Sequence, residues 1–106
     1  MSVIMTLRLK ADAGKLEAWA DTHQDTLSGI REKAEGHGLI AHRFYADDDG
    51  NVMVMDDWPD QESFQTFFSD SQAEIGPMMA AADAQGEPEI RFWHQLQTHD
   101  EYGWGA

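Results

Sequence analysis

Cysteine is absent from this chain of 106 residues. That excludes disulfides, thiolate nucleophiles and thiolate metal sites, and gives no support to a secreted scaffold held by cross-links. Cations are scarce as well: seven Lys and Arg stand against twenty Asp and Glu, for a formal net charge of −13. The seven are Arg8, Lys10, Lys15, Arg31, Lys33, Arg43 and Arg91, scattered along the sequence rather than clustered. Nucleic acid and anionic membrane surfaces are therefore poor partners. Long apolar runs are missing too. The opening MSVIMTLRLK is too short in apolar length for a signal peptide, and no stretch approaches the roughly 18 apolar residues that cross a bilayer. A soluble cytoplasmic protein is the expectation. No phosphate-binding glycine loop and no nucleophile motif is present.

What is present is hydrophobic periodicity, which changes along the chain. Val3 to Lys10 alternates with period two, Val3, Met5, Leu7 and Leu9 on one face and Ile4, Thr6, Arg8 and Lys10 on the other, and predicts strand one. After Asp12, an N-cap residue type, Leu16, Trp19, Ala20, His23, Leu27, Ile30 and Ala34 fall at helical spacing. Helix one is predicted to run to about Glu35, where Gly36-His37-Gly38 stops it. Leu39 to Ala46 and Val52 to Trp58 flank Asp47-Asp48-Asp49-Gly50-Asn51, residues that tolerate tight turns, so strands two and three should form a hairpin. Pro59-Asp60 switches the chain back to helix. Phe64, Phe67, Phe68, Ile75, Met78, Met79 and Ala82 make its apolar stripe, with a break expected at Gly76-Pro77, since proline lacks the N–H that a continuous helix uses. A short second piece then starts near Pro77 and closes at Gly86. Pro88 to Thr98 alternates again and predicts strand four, with Ile90, Phe92, His94 and Leu96 opposite Arg91, Trp93, Gln95 and Gln97. Residues 99–106 form a tail carrying Tyr102 and Trp104.

Strand, helix, strand, strand, helix, strand is the ferredoxin-like βαββαβ order, an α+β class with a four-stranded antiparallel sheet, and residues 1–106 are read as one such domain. Both helices lie on one sheet face in that plan, which leaves the other face open. The open face holds bulky apolar groups, a patch larger than soluble monomers usually expose. Pairing two such faces through a twofold axis covers the patch and encloses a cavity between the sheets, so a homodimer is expected, with the tail reaching toward the partner.

The order of elements, together with Asp56-Asp57-Trp58-Pro59-Asp60-Gln61-Glu62-Ser63-Phe64, resembles the dimeric α+β barrel superfamily. Acidic-x-Trp at the end of strand three, a polar cap and a Phe-rich helix are similar to the antibiotic biosynthesis monooxygenase group. The resemblance spans nearly the whole chain, although its motif is a structural junction shared by proteins of different activity. It implies cofactor-independent oxygenation of electron-rich polyphenols and quinols, haem degradation, or a small-ligand or stress-related role without chemistry. The haem-degrading branch fits poorly. Its axial histidine would fall near Ile75-Gly76 and its strand-one asparagine near Met5, while Phe67 stands where that branch has a tryptophan.

Among the chemistry-bearing residues, His23, His37, His42, His94 and His99 show no metal-ligand spacing, so neither a metal nor a cofactor is expected. His42 and His94, at mid-strand, are candidate acid–base groups, with hydrogen-bonded packing as the alternative for each. An anion formed from an aromatic substrate needs a cationic or hydrogen-bonding cradle in a dry pocket. Arg91, Arg43 or Arg8 offers the charge; for Arg91 and Arg43 salt bridges to the abundant acids are the alternative. Trp93, Trp58, Phe67 and Tyr45 offer stacking surfaces, Trp58 and Phe67 having core packing as their other reading. Together these imply a monooxygenase-like protein acting on an aromatic or quinol-type molecule in the inter-sheet cavity. The competing reading is a non-catalytic dimer that binds a small aromatic or apolar ligand.

Overall fold

The computed structural model describes residues 2–104, so the last two residues of the tail lie outside the described residues. The chain runs β1 (Val3–Lys10), α1 (Ala13–Thr22), α2 (Gln24–Gly36), β2 (Ala41–Ala46), β3 (Asn51–Trp58), α3 (Gln61–Asp70), α4 (Gln72–Ala81) and β4 (Gln85–Trp93). The strands form one sheet in the order β2-β3-β1-β4 with every neighbouring pair antiparallel, the expected ferredoxin-like arrangement. Among the described residues no helix is long and apolar enough to cross a membrane.

The alternation of β1 places the core. Val3, Met5, Leu7 and Leu9 are all buried, with Met5 at 1% exposure, and they pack beneath Ala34, Phe64, Phe67, Ile75 and Met78 from the helices. Trp58 is fully buried at the end of β3, its ring 5.8 Å from that of Phe64 and 5.4 Å from that of Phe67. Trp58 and Phe67, candidate stacking surfaces from the sequence, are therefore core residues between α3 and the sheet.

Both predicted helices are divided, and neither break lies where proline or glycine suggested. The first falls at His23, inside the expected continuous helix. There the Thr22 hydroxyl and His23 Nδ1–H both donate to the Trp19 carbonyl, at 3.2 and 2.8 Å, and Gln24 Nε2 donates to that of Ala20 at 2.8 Å. Side chains replace the amides that the next helical turn would have supplied, so the chain can bend without orphaned carbonyls. The second break falls at Ser71, not at Gly76-Pro77, and uses the same device, Gln72 Nε2 donating to Phe68 O at 2.8 Å. Pro77 lies inside α4, where its ring forfeits a single intrahelical bond. Gly86 does not close that helix. Asp83, at φ 53°, makes the left-handed turn beyond α4, its carboxylate bonded to Lys15, while Gly86 belongs to β4. β4 ends at Trp93, short of the predicted Thr98, because Ile4 pairs with Trp93 and β1 has almost run out of residues to pair.

The α3 start and the β2–β3 turn follow the sequence. Asp60 caps α3 by accepting from Ser63 N–H at 2.8 Å, and that bond holds its carboxyl below the usual carboxylate range. Asp47 accepts from the Asn51 side chain and from the amides of Asn51 and Asp49, which lower its pKa in the same way. A carboxyl depressed in the folded state contributes stability that is in place above its unfolded pKa and is lost as pH falls through the folded one. Asn caps a helix about as well as Asp. Asp60→Asn is therefore expected to leave stability at neutral pH close to that of the parent and to flatten its decline in acid, measured by urea denaturation from pH 7 down to pH 3. A steeper acid decline in the variant would refute the assignment.

Gly38 ends α2 at φ +101°, and a Cβ built on it would lie 2.9 Å from Pro59 Cγ. Backbone conformation and the ring of Pro59 both oppose a side chain there, so Gly38→Ala should destabilise by about 1–3 kcal/mol in equilibrium denaturation.

Candidate functional site

Register decides which side chains can meet. Pairing of β2 with β3 sets His42 opposite Asp56, Arg43 opposite Met55, Phe44 opposite Val54 and Tyr45 opposite Met53. Directly opposed residues in an antiparallel pair project from the same face. Val54 also opposes Leu7 and Asp56 opposes Met5, so His42 and Phe44 share the helix-covered face with the core. Arg43 and Tyr45 project from the open face, joined there by Thr6 opposite Arg91 and Ile4 opposite Trp93.

On the helix face the structure builds a chain of three side chains. His42 Nδ1 lies 2.7 Å from Asp56 Oδ1, and the other oxygen of Asp56 accepts from the Trp58 indole N–H at 3.1 Å. Asp56 is 5% exposed, whereas the His42 side chain is 35% exposed because β2 is the sheet edge and helices do not cover it. A carboxylate acceptor fixes the proton on Nδ1 of the neutral ring and leaves the Nε2 lone pair free. Among the described residues Nε2 makes no hydrogen bond. The ring stands edge-on to Phe44 at 5.0 Å, and Phe44 in turn covers an apolar crevice of about 20 Å³ with Leu9, Leu16, Val54, Met78 and Met79 in its walls. A crevice of that volume has room for about one water and not for an aromatic ring. What the arrangement offers is the imidazole itself, oriented by a carboxylate with Nε2 unengaged, a group equipped to take a proton from a small molecule at the sheet edge.

The remaining candidates are not brought to this place. His94 follows the end of β4, exposed, at the opposite edge of the sheet from β2. Arg91 Nε is 2.7 Å from Glu89 Oε1 and Arg8 Nη2 is 3.0 Å from Glu89 Oε2, so one carboxylate bridges two guanidiniums. Arg8, then Arg91, holds Glu89 below the ordinary carboxylate range. Trp93 donates its indole N–H to the Thr6 hydroxyl at 2.9 Å on the open face. Arg43, Tyr45, Arg91 and Trp93 thus form one group and His42 another, with the sheet between them. Asp56 stood in the sequence as the acidic residue of the acidic-x-Trp junction, and its pairing with His42 was not anticipated. The hairpin contained the signal, because Asp47 N–H donates to Asn51 O at 3.1 Å, and counting back equally from that pair brings residue 42 opposite residue 56. Among the described residues no three His, Cys, Asp or Glu side chains cluster as a metal site.

Solved structures with the same fold are numerous, and they share little sequence with this chain. A dimeric ferredoxin-like protein from an uncultured marine organism superposes with a TM-score of 0.65 at 10% identity, covering 95% of this chain and 93% of its own. SnoaB, a cofactor-independent oxygenase from Streptomyces nogalater, gives a TM-score of 0.58 at 15% identity, covering 94% and 98%. An antibiotic biosynthesis monooxygenase gives 0.59 at 8% identity, covering 91% and 99%. The resemblance noted at the Asp56–Phe64 junction is thus matched in three dimensions, and at these identities it defines the fold alone. No protein-family model matches the sequence, and no curated protein matches it.

Removing Asp56 tests the network. Asp56→Ala leaves the buried Trp58 N–H without an acceptor and is expected to cost about 2–4 kcal/mol. His42→Ala removes only a half-exposed donor and should cost less than half as much. Equal losses in urea denaturation would show that Trp58 does not depend on Asp56.

Proposed function

We propose that this protein is a cofactor-independent, monooxygenase-like catalyst acting on an aromatic or quinol-type small molecule, with His42 as the base and Asp56 as the residue that positions it. The observation that carries this reading is the 2.7 Å bond from His42 Nδ1 to a buried carboxylate, with Nε2 unengaged. His42 Nε2 takes a proton from the substrate, and the resulting electron-rich anion reduces dioxygen. For an activated ring CH2, one oxygen atom ends as the carbonyl and the other leaves as water with the two hydrogens, so no external reductant is consumed. The oxygenase among the proteins of the same fold supports this reading. The substrate then lies on the helix side of β2, not between two sheets as the sequence suggested, because His42 does not face the open side.

A homodimer closed through the open faces belongs to the same proposal, as does a cytoplasmic location. Trp93 and Tyr45 are 50% and 42% exposed there beside Ile4, Met53 and Met55, and the dimeric protein of the same fold supports the pairing. A second reading, a dimer that binds an apolar ligand without chemistry, is favoured by an open groove of about 570 Å³ between α3 and β4. Phe64, Phe68, Ile90 and Phe92 line it, with Gln61, Gln65 and Gln72 and no titratable group.

Oxygen uptake with a panel of phenols and quinols separates the two. Loss of a positioned base lowers proton transfer by roughly 10²–10⁴-fold, and that loss is expected for His42→Ala and not for His94→Ala. Asp56→Asn should fall between them, since it retains an acceptor without the charge. Uptake unchanged in His42→Ala, or absent in the parent protein, refutes the catalytic reading.

A further inference from the structure

β4 is one edge of the sheet, with β1 its only neighbour among the described residues. Beyond that pairing, no backbone group of residues 85–104 makes a backbone hydrogen bond among the described residues. Pro88 has no N–H to offer, so the outer edge that a further strand could use is residues 89–93. Beside that stretch runs the open groove of about 570 Å³, with Phe64 and Phe68 of α3 in one wall and Ile90 and Phe92 of β4 in the other. No titratable side chain lines it, on a chain whose formal net charge is −13. An edge strand with an apolar trough between it and a helix is the geometry that holds extended peptides. Backbone groups pair with the edge, and alternate side chains enter the trough.

The chain carries a segment that lacks what this groove offers. Leu96, Tyr102 and Trp104 are 75%, 93% and 88% exposed, more than any other large apolar side chain among the described residues, and all three lie beyond β4. Tyr102 and Trp104 are two apart, so in an extended segment they project to the same side. Gly103 between them, at φ 81°, has no side chain to oppose extension. Folding back within one chain does not deliver them. His99, at φ 61°, bends the tail, and a reversal centred there returns residue 104 no farther than the level of residue 94, past the wall made by Ile90 and Phe92. Extended, the tail from 94 to 104 reaches about 35 Å, several times the roughly 10 Å between facing sheets, so a partner's groove is within range.

We propose that the tail of a second copy docks in the α3–β4 groove as a strand added along residues 89–93, with the partner's Tyr102 and the partner's Trp104 seated among Phe64, Phe68, Ile90 and Phe92. The exchange is reciprocal, as twofold symmetry requires. The partner's Asp100 and the partner's Glu101 arrive with the aromatic pair and meet no carboxylate in the groove lining. The inference rests on the dimer of the preceding section and is independent of chemistry at His42.

Hydrogen–deuterium exchange and sedimentation equilibrium on the full chain test it together. Outward amides of residues 89–93 are expected to be protected where the protein is dimeric and to lose protection on dilution to monomer. Trp104→Ala, which removes an exposed ring, is expected to abolish that protection and to weaken the dimer about tenfold or more. Gln65→Glu sets a carboxylate at the exposed rim of the groove against the arriving acids and should weaken it about threefold. N-phenyl-1-naphthylamine, a neutral apolar dye, should enter the groove of Trp104→Ala and be excluded from the wild-type dimer. Protection that survives dilution assigns the groove to the protein's own tail, and equal dye binding by the two proteins leaves it to a small ligand; either result overturns the proposal. A dimer that Trp104→Ala leaves unchanged, with residues 89–93 unprotected, overturns it as well and leaves closure through the open faces standing. A monomer under every condition overturns both.

Discussion

Burial of one indole governs the arrangement of the candidate site. Trp58 ends β3 among Phe64 and Phe67 with no exposed surface, and its N–H has no access to water. A buried donor left without an acceptor costs on the order of 1–3 kcal/mol, so an acceptor must come from the same face of the sheet. Period-two geometry supplies it two residues earlier, at Asp56. That carboxylate is then itself buried and ionisable, and a single indole N–H does not satisfy it. The hairpin register brings His42 to its other oxygen. Packing of α3 onto the sheet and the orientation of the imidazole are consequences of the same constraint, which links core stability to the geometry of a solvent-facing base.

Most of the architecture follows from patterns visible in the chain. The alternation in Val3 to Lys10 marks a central strand with one core face, and all four apolar residues of that face are buried. Asp60 and the Asp47–Asn51 turn act through local hydrogen bonds that residue type alone suggests. The helix breaks were not legible in that way. At His23 and Ser71 the decisive bonds run from polar side chains to carbonyls three or four residues back, and such residues look ordinary on an amphipathic stripe. Pro77 carried a strong signal, yet α4 runs through it from Gln72 to Ala81 and gives up a single intrahelical bond there.

The site was legible residue by residue and not as a constellation. His42 shows as a mid-strand histidine, while its partner needs the register counted across the turn. His94 looked equivalent to His42 because His94-Gln95-Leu96-Gln97-Thr98 keeps the strand alternation, but that alternation outlasts β1, among the described residues the only strand beside β4. A pattern predicts which face a residue would take in a sheet; it does not provide the neighbour that makes the sheet. Trp58 and Phe67 were ambiguous for a related reason, since an aromatic side chain serves a core or a ligand equally well and burial decides.

Parity also separates His42 from the arginines of the sheet. Adjacent residues of β2 point to opposite sides, so His42 and Phe44 belong to the helix face and Arg43 and Tyr45 to the open one. An anion formed at His42 is therefore not stabilised by Arg43 or Arg91, and the cations outside the open face, Lys15, Arg31 and Lys33, are carried by helices and paired to Asp83, Glu35 and Glu74. In the proposed reaction the charge that balances a substrate anion would have to arise from the proton transfer itself. An imidazolium formed there would lie against Asp56, whose burial limits screening on that side. In the proposed reaction the buried carboxylate would act twice at one place, setting the tautomer before the transfer and stabilising the cation after it. An exposed histidine without such a partner, as at His94, offers neither.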